Sequence, residues 1–74
     1  MQFKITNYCD LDGVPAVVAT LDTPKGLGTY CFEYVEGRWR EPEDNGADVM
    51  SKSRVVTQDV FERMFPDVGL PTAP

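Results

Sequence analysis

The clearest alternation in the chain runs through Gly28 to Val35. Tyr30, Phe32 and Tyr34 fall on one parity and Cys31, Glu33 and Val35 on the other, the period of a strand with two unlike faces. Glu36-Gly37 follows as a two-residue turn, with glycine able to take the positive φ such turns need. Folding back there sets Val35 opposite Arg38, Tyr34 opposite Trp39 and Glu33 opposite Arg40. An aromatic pair on one face and an opposite-charge pair on the other thus agree on one register. A hairpin is predicted.

A second hairpin precedes it. Gln2 to Leu11 reads as a strand with Phe3, Ile5, Cys9 and Leu11 on one parity and Asn7 as the exception. Asp12-Gly13 is a strong turn signal, and a two-residue loop pairs Leu11 with Val14, Cys9 with Ala16 and Tyr8 with Val17. Val14 to Leu21 is apolar on both parities, as expected of an inner strand covered on at least part of both faces. Pro15 then falls at a non-hydrogen-bonded site, so its missing N–H faces away from the first strand. Asp22 to Gly28, with Thr-Pro-Lys-Gly-Leu-Gly, reads as a flexible loop.

After the aromatic hairpin the pattern weakens. Glu41 to Gly46 is an acidic loop ending in Asn-Gly, and Ala47 to Val56 is ambiguous, with a short edge strand near Arg54–Val56 as one reading. Thr57 suits an N-cap. Val60, Phe61, Met64 and Phe65 then share one helical face, and Pro66 stops the helix. The fold class expected is α+β: a four-stranded antiparallel meander with one short C-terminal helix packed on a face. A small five-stranded SH3-like barrel is the alternative, should 47–56 contribute a strand. Residues 1–66 form the expected domain, and 67–74, with Pro71 and Pro74, a frayed tail.

Composition narrows the function classes. A chain of 74 residues holds one small core, with little room for a deep cavity. The net charge is −5, and residues 31–50 concentrate it, with two Arg against six acids. Such a domain repels phosphate backbones, so no direct nucleic-acid contact is expected. No apolar run approaches membrane-spanning length and the N-terminus lacks a signal peptide's apolar core, so the expected compartment is cytoplasmic, without membrane contact.

Catalytic chemistry finds little support. There is no His to act as general base or metal ligand. Cys9 and Cys31 form no metal-binding spacing, and as strand residues separated by another strand they lie about 10 Å apart, too far for a disulfide. They read as small reduced fillers. Glu41 to Gly46 places glycine as a calcium loop would, but Lys52 stands where the bidentate acid belongs. No enzyme, metal or cofactor is expected.

Two features remain. The ridge of Tyr30, Phe32, Tyr34 and Trp39 reads as the floor for Phe61, Met64 and Phe65, with Tyr34 and Trp39 reaching the rim as interface anchors beside Arg38. Glu41, Glu43, Asp44 and Asp48 cluster directly after it. Together Tyr34, Arg38, Trp39, Glu41, Glu43, Asp44 and Asp48 form the expected partner-binding site. The function expected is a non-enzymatic acidic protein-binding module, an inhibitor or adaptor of the kind phages and mobile elements encode. Its partner would be a protein with a basic, nucleic-acid-binding type of surface. The alternatives are a structural subunit of a homo-oligomer and, lower, a small-ligand carrier.

Overall fold

The computed structural model describes residues 3–71. Four strands follow in sequence: β1 (Phe3–Leu11), β2 (Val14–Thr23), β3 (Gly26–Val35) and β4 (Arg38–Arg40). Helix α1 (Ala47–Lys52), strand β5 (Arg54–Val56) and helix α2 (Gln58–Met64) complete the chain. All pairings are antiparallel, in the order β4-β3-β2-β1-β5. The α+β class stands, but the sheet has five strands rather than four. It is also open, since β4 and β5 are its two edges, so it is not the barrel considered as the alternative. Gln2, expected at the start of β1, lies outside the described residues.

Both predicted hairpin registers hold: Leu11↔Val14, Cys9↔Ala16 and Tyr8↔Val17 in one, and Val35↔Arg38, Tyr34↔Trp39 and Glu33↔Arg40 in the other. Each turn carries two consecutive positive φ values, 50° and 90° at Asp12-Gly13 and 56° and 80° at Glu36-Gly37. This backbone matches the right-handed twist of the flanking strands. Pro15, whose missing N–H faces away from β1, is tolerated because β3 pairs with β2 only from Ala16 onward.

The expected loop at Asp22–Gly28 is instead strand and turn. Asp22 pairs with Leu27 and Thr23 with Gly26, leaving only Pro24-Lys25 between them. Pro24 fixes the first turn position. Thr23 Oγ1 accepts from the Lys25 N–H (3.3 Å) and donates to the Gly26 carbonyl (2.7 Å). These bonds tighten the turn so that pairing runs to its base.

The exception at Asn7 proves to be a change of face. Ile5 pairs with Ala19 but Asn7 with Val18, so Thr6 is the extra residue of a bulge. Its hydroxyl donates to the Val18 carbonyl at 3.0 Å. Phe3 and Ile5 therefore share a face with Tyr8, while Cys9 and Leu11 lie on the opposite one.

That switch lets both faces be covered. On one, α2 seats the buried Phe61 against Tyr8 (centroids 5.4 Å) and Phe65 (5.1 Å), while Phe3 meets Phe32 (6.0 Å). On the other, α1 sets Val49 onto Cys9, Ala16 and Val18, with Leu11 and Cys31 beside them. Strand β2 is buried from Pro15 to Ala19 between the two layers, as its apolar run on both parities implies. The single helix expected on a single face is thus corrected to two helices on opposite faces. The aromatic ridge is only partly the floor of α2: Phe61 rests on β1, and Met64 stays exposed.

Candidate protein-binding surface

The seven residues expected to form one site divide between the two faces. Tyr34 and Trp39 lie on the α2 face, half-buried, with ring centroids 5.3 Å apart and planes at 66°. The Trp39 indole N–H donates to the Gly69 carbonyl at 2.6 Å. Of the segment 67–74, residues 67–71 are described, and this bond ties Gly69 to the sheet. Leu70 and Pro71 join Leu21, Phe32, Trp39, Arg40 and Glu41 around an open groove of about 500 Å³.

Arg38 and Arg40 point to the α1 side of β4, because they pair with Val35 and Glu33 while Trp39 pairs with Tyr34. Arg40 is engaged by Glu33 at 2.9 Å, and Arg38 is exposed. Of the acidic residues expected beside the aromatic pair, Glu41 shares a groove with Trp39, whereas Glu43, Asp44 and Asp48 line a separate groove with Leu11 and Glu33. Pro42 and Gly46, both buried, carry the acidic loop onto the α1 face. A Cβ at Gly46 would come within 2.6 Å of the Cys31 side chain, and its φ is 84°. Only glycine fits there.

Within the loop the four acids have different tasks. Asp44 accepts from the backbone N–H groups of Asp48 (2.9 Å) and Gly46 (3.0 Å) and so closes the first turn of α1. Those bonds, the Asp48 N–H foremost, hold its carboxyl below the ordinary range against a smaller opposing effect of desolvation. Asp48 pairs with Lys52 one turn on, at 3.4 Å. Glu41 and Glu43 are exposed, without an ion pair among the described residues.

Two acids that the sequence reading left out join them. Asp10 and Asp12, on and beside the β1–β2 turn, meet Asp48 around Leu11 in a groove of about 530 Å³ that Lys52 and Arg54 also line. An adjoining groove of about 300 Å³ shares Leu11 and Asp48 and adds Glu33, Arg40, Glu43 and Asp44. Six carboxylates (Asp10, Asp12, Glu33, Glu43, Asp44, Asp48) thus surround three cations (Arg40, Lys52, Arg54). Each cation is held by one carboxylate, Arg54 by Asp10 at 3.3 Å. Asp44 is engaged by backbone N–H groups, and Asp12 and Glu43 are the carboxylates of this surface with neither an ion pair nor a hydrogen bond among the described residues. Asp12 read only as a turn residue, and nothing local in the sequence links it to Glu43.

The thiols lie beneath the same face. Burial pushes Cys9 up despite a hydrogen bond with Ser53, and pushes Cys31 up, with Cys9 and Asp44 adding to the effect. Both are free cysteines, held in the unreactive thiol form. Among the described residues, no group of three or more His, Cys, Asp or Glu side chains is placed to hold a metal ion, and no helix is long and apolar enough to cross a membrane. No family model, curated protein or solved structure matches the chain.

Proposed function

We infer that the protein is a non-catalytic binding module that docks the acidic end of its α1 face onto a basic surface of another protein. The observation that carries this reading is the convergence on Leu11 of acids far apart in the chain, Asp12 from the first hairpin and Glu43 and Asp48 from the loop and α1. Asp12 and Glu43, which have no ion-pair partner among the described residues, stand with the Lys52-paired Asp48 around a half-buried apolar residue and suit a surface shaped to meet cations. They steer the encounter, and Leu11 gives the contact an apolar centre. The partner would be a protein whose basic face otherwise meets nucleic acid, as for an inhibitor or adaptor of phage or mobile-element type. Tyr34 and Trp39 fall outside this contact, because they lie on the other side of the sheet.

The test is the double reversal D12K/E43K, which leaves Asp44 and its backbone bonds in place. Wild type and variant are immobilised and challenged with host lysate across a salt series. A basic protein retained by wild type at low salt, released as salt rises and absent from the variant supports the reading. Equal retention by both sinks it.

A further inference from the structure

The edges of the sheet are not equally protected. Strand β4 is three residues long with arginine at each end, β5 is equally short and begins with Arg54, and the free part of β1 carries Lys4 and the Thr6 bulge. Short strands, charges and bulges all discourage pairing with another chain. Strand β3 lacks these devices. Its outer side is paired with β4 only from Glu33 to Val35, so Gly26 to Phe32 (Gly-Leu-Gly-Thr-Tyr-Cys-Phe) is open, with no charge, proline or bulge.

Ladder alternation determines which groups are free. Glu33 turns its peptide groups outward to Arg40, so two and four residues earlier Cys31 and Thr29 turn theirs outward too, and Leu27 after them. Pro42 and Asn45 flank the edge at Cys31, which leaves Leu27 and Thr29 with no backbone partner among the described residues. Among the described residues Leu27 is also the most exposed large apolar side chain, at 76%.

We propose that this edge pairs antiparallel with the same edge of a second copy, joining two five-stranded sheets into one across a two-fold axis at Gly28. Leu27 of each copy then exchanges backbone hydrogen bonds with Thr29 of the other. Gly28 meets Gly28 at the closest, non-hydrogen-bonded position, where neither residue has a side chain of its own and each Tyr30 ring lies over the Gly28 of its own strand. Charge complementarity argues for a second copy rather than a foreign strand. Lys25 ends the open edge at one end and Glu41 lines it at the other, both exposed. Antiparallel pairing brings each Lys25 toward the Glu41 of the second copy, twice per dimer, and no like charges meet along the strand.

The discriminating variant is Thr29→Pro. It removes an outward N–H that β2 does not use, and Gly28 before it tolerates a following proline. Sedimentation equilibrium of the full chain from about 1 μM to about 1 mM should show a concentration-dependent dimer for wild type, with Thr29→Pro weakening it by more than about tenfold. Circular dichroism of the variant should match wild type. Lys25→Glu alone should weaken the dimer, and K25E/E41K should restore it. A wild type that stays monomeric throughout overturns the proposal and leaves the edge to a foreign strand. A dimer indifferent to both Thr29→Pro and Lys25→Glu also overturns it, by placing the interface elsewhere.

Discussion

The two faces of this sheet are closed by different chemistry. The α2 face is aromatic, with Phe3, Tyr8, Phe32, Tyr34, Trp39, Phe61 and Phe65 in tilted and edge contacts. The α1 face has no aromatic ring in its core and is filled by Cys9, Ala16, Val18 and Val49. Its helix has six residues, too few to be stable by propensity, and is secured by polar bonds to its own backbone. Asp44 closes its start, Ser51 bonds the Ala47 carbonyl, and Ser53 bonds the Val49 carbonyl. Large apolar area holds one face; close approach of small residues and satisfied backbone hold the other. The functional consequence is a separation. Charges on the α1 face can be exchanged without disturbing the rings on which most of the stability rests.

The sharpest break of that asymmetry is Phe61→Ala. The ring is 1% exposed and touches both Tyr8 and Phe65. Its loss should cost about 3–5 kcal/mol, comparable with the whole stability of so small a domain. Urea melts should show the variant largely unfolded without denaturant. Val49→Ala, the matching deletion on the α1 face, removes less apolar area and should cost about 2 kcal/mol, leaving a folded protein with a lower urea midpoint. Equal costs would mean that the two faces contribute equally to stability.

Trp39→Phe should be milder again. Phenylalanine keeps a ring against Tyr34 but loses the indole bond to Gly69, worth about 1 kcal/mol or less at this partly exposed position. Because Trp39 is the only tryptophan, the wild-type chain reports on itself. Its indole fluorescence should shift when residues after Val68 are removed and stay unchanged if the Gly69 contact does not form in solution.

What the sequence made legible follows from how local each signal is. Both hairpin registers could be read because Asp12-Gly13 and Glu36-Gly37 determine pairing within a few residues of themselves. The bulge at Thr6 could not, since its extra residue is stabilised by a bond to Val18 across the strand pair. The misplaced Asn7 was its only trace. Helix α1 escaped notice because six residues with one buried side chain do not display a 3.6-residue period. Without α1, nothing in the sequence carries Glu43 and Asp48 toward Leu11 and Asp12 while Glu41 stays beside Trp39. The acids themselves were legible; their neighbours were not.

The smallest expected effect separates two adjacent acids of the same loop. Glu43 is exposed and accepts no hydrogen bond among the described residues, whereas Asp44 accepts two from the backbone at the start of α1. Glu43→Lys should therefore leave the melting temperature almost unchanged at neutral pH, as loop charges contribute little to stability. Asp44→Asn should lower it slightly, because the amide oxygen is a weaker acceptor than a carboxylate. The pH dependence gives the cleaner reading. Folding lowers the Asp44 pKa below its ordinary value of 3.8, so the unfolded chain binds this proton more readily than the folded one. The stabilisation is then complete above that value and is lost as pH falls through the lower, folded-state pKa. Wild type and Glu43→Lys should share this acid limb in a plot of melting temperature against pH, and Asp44→Asn should lack its part of it. Equal acid limbs in wild type and Asp44→Asn would mean that the carboxylate does not close α1 in solution. Asp44 would then join Asp12 and Glu43 as a free charge of the docking surface.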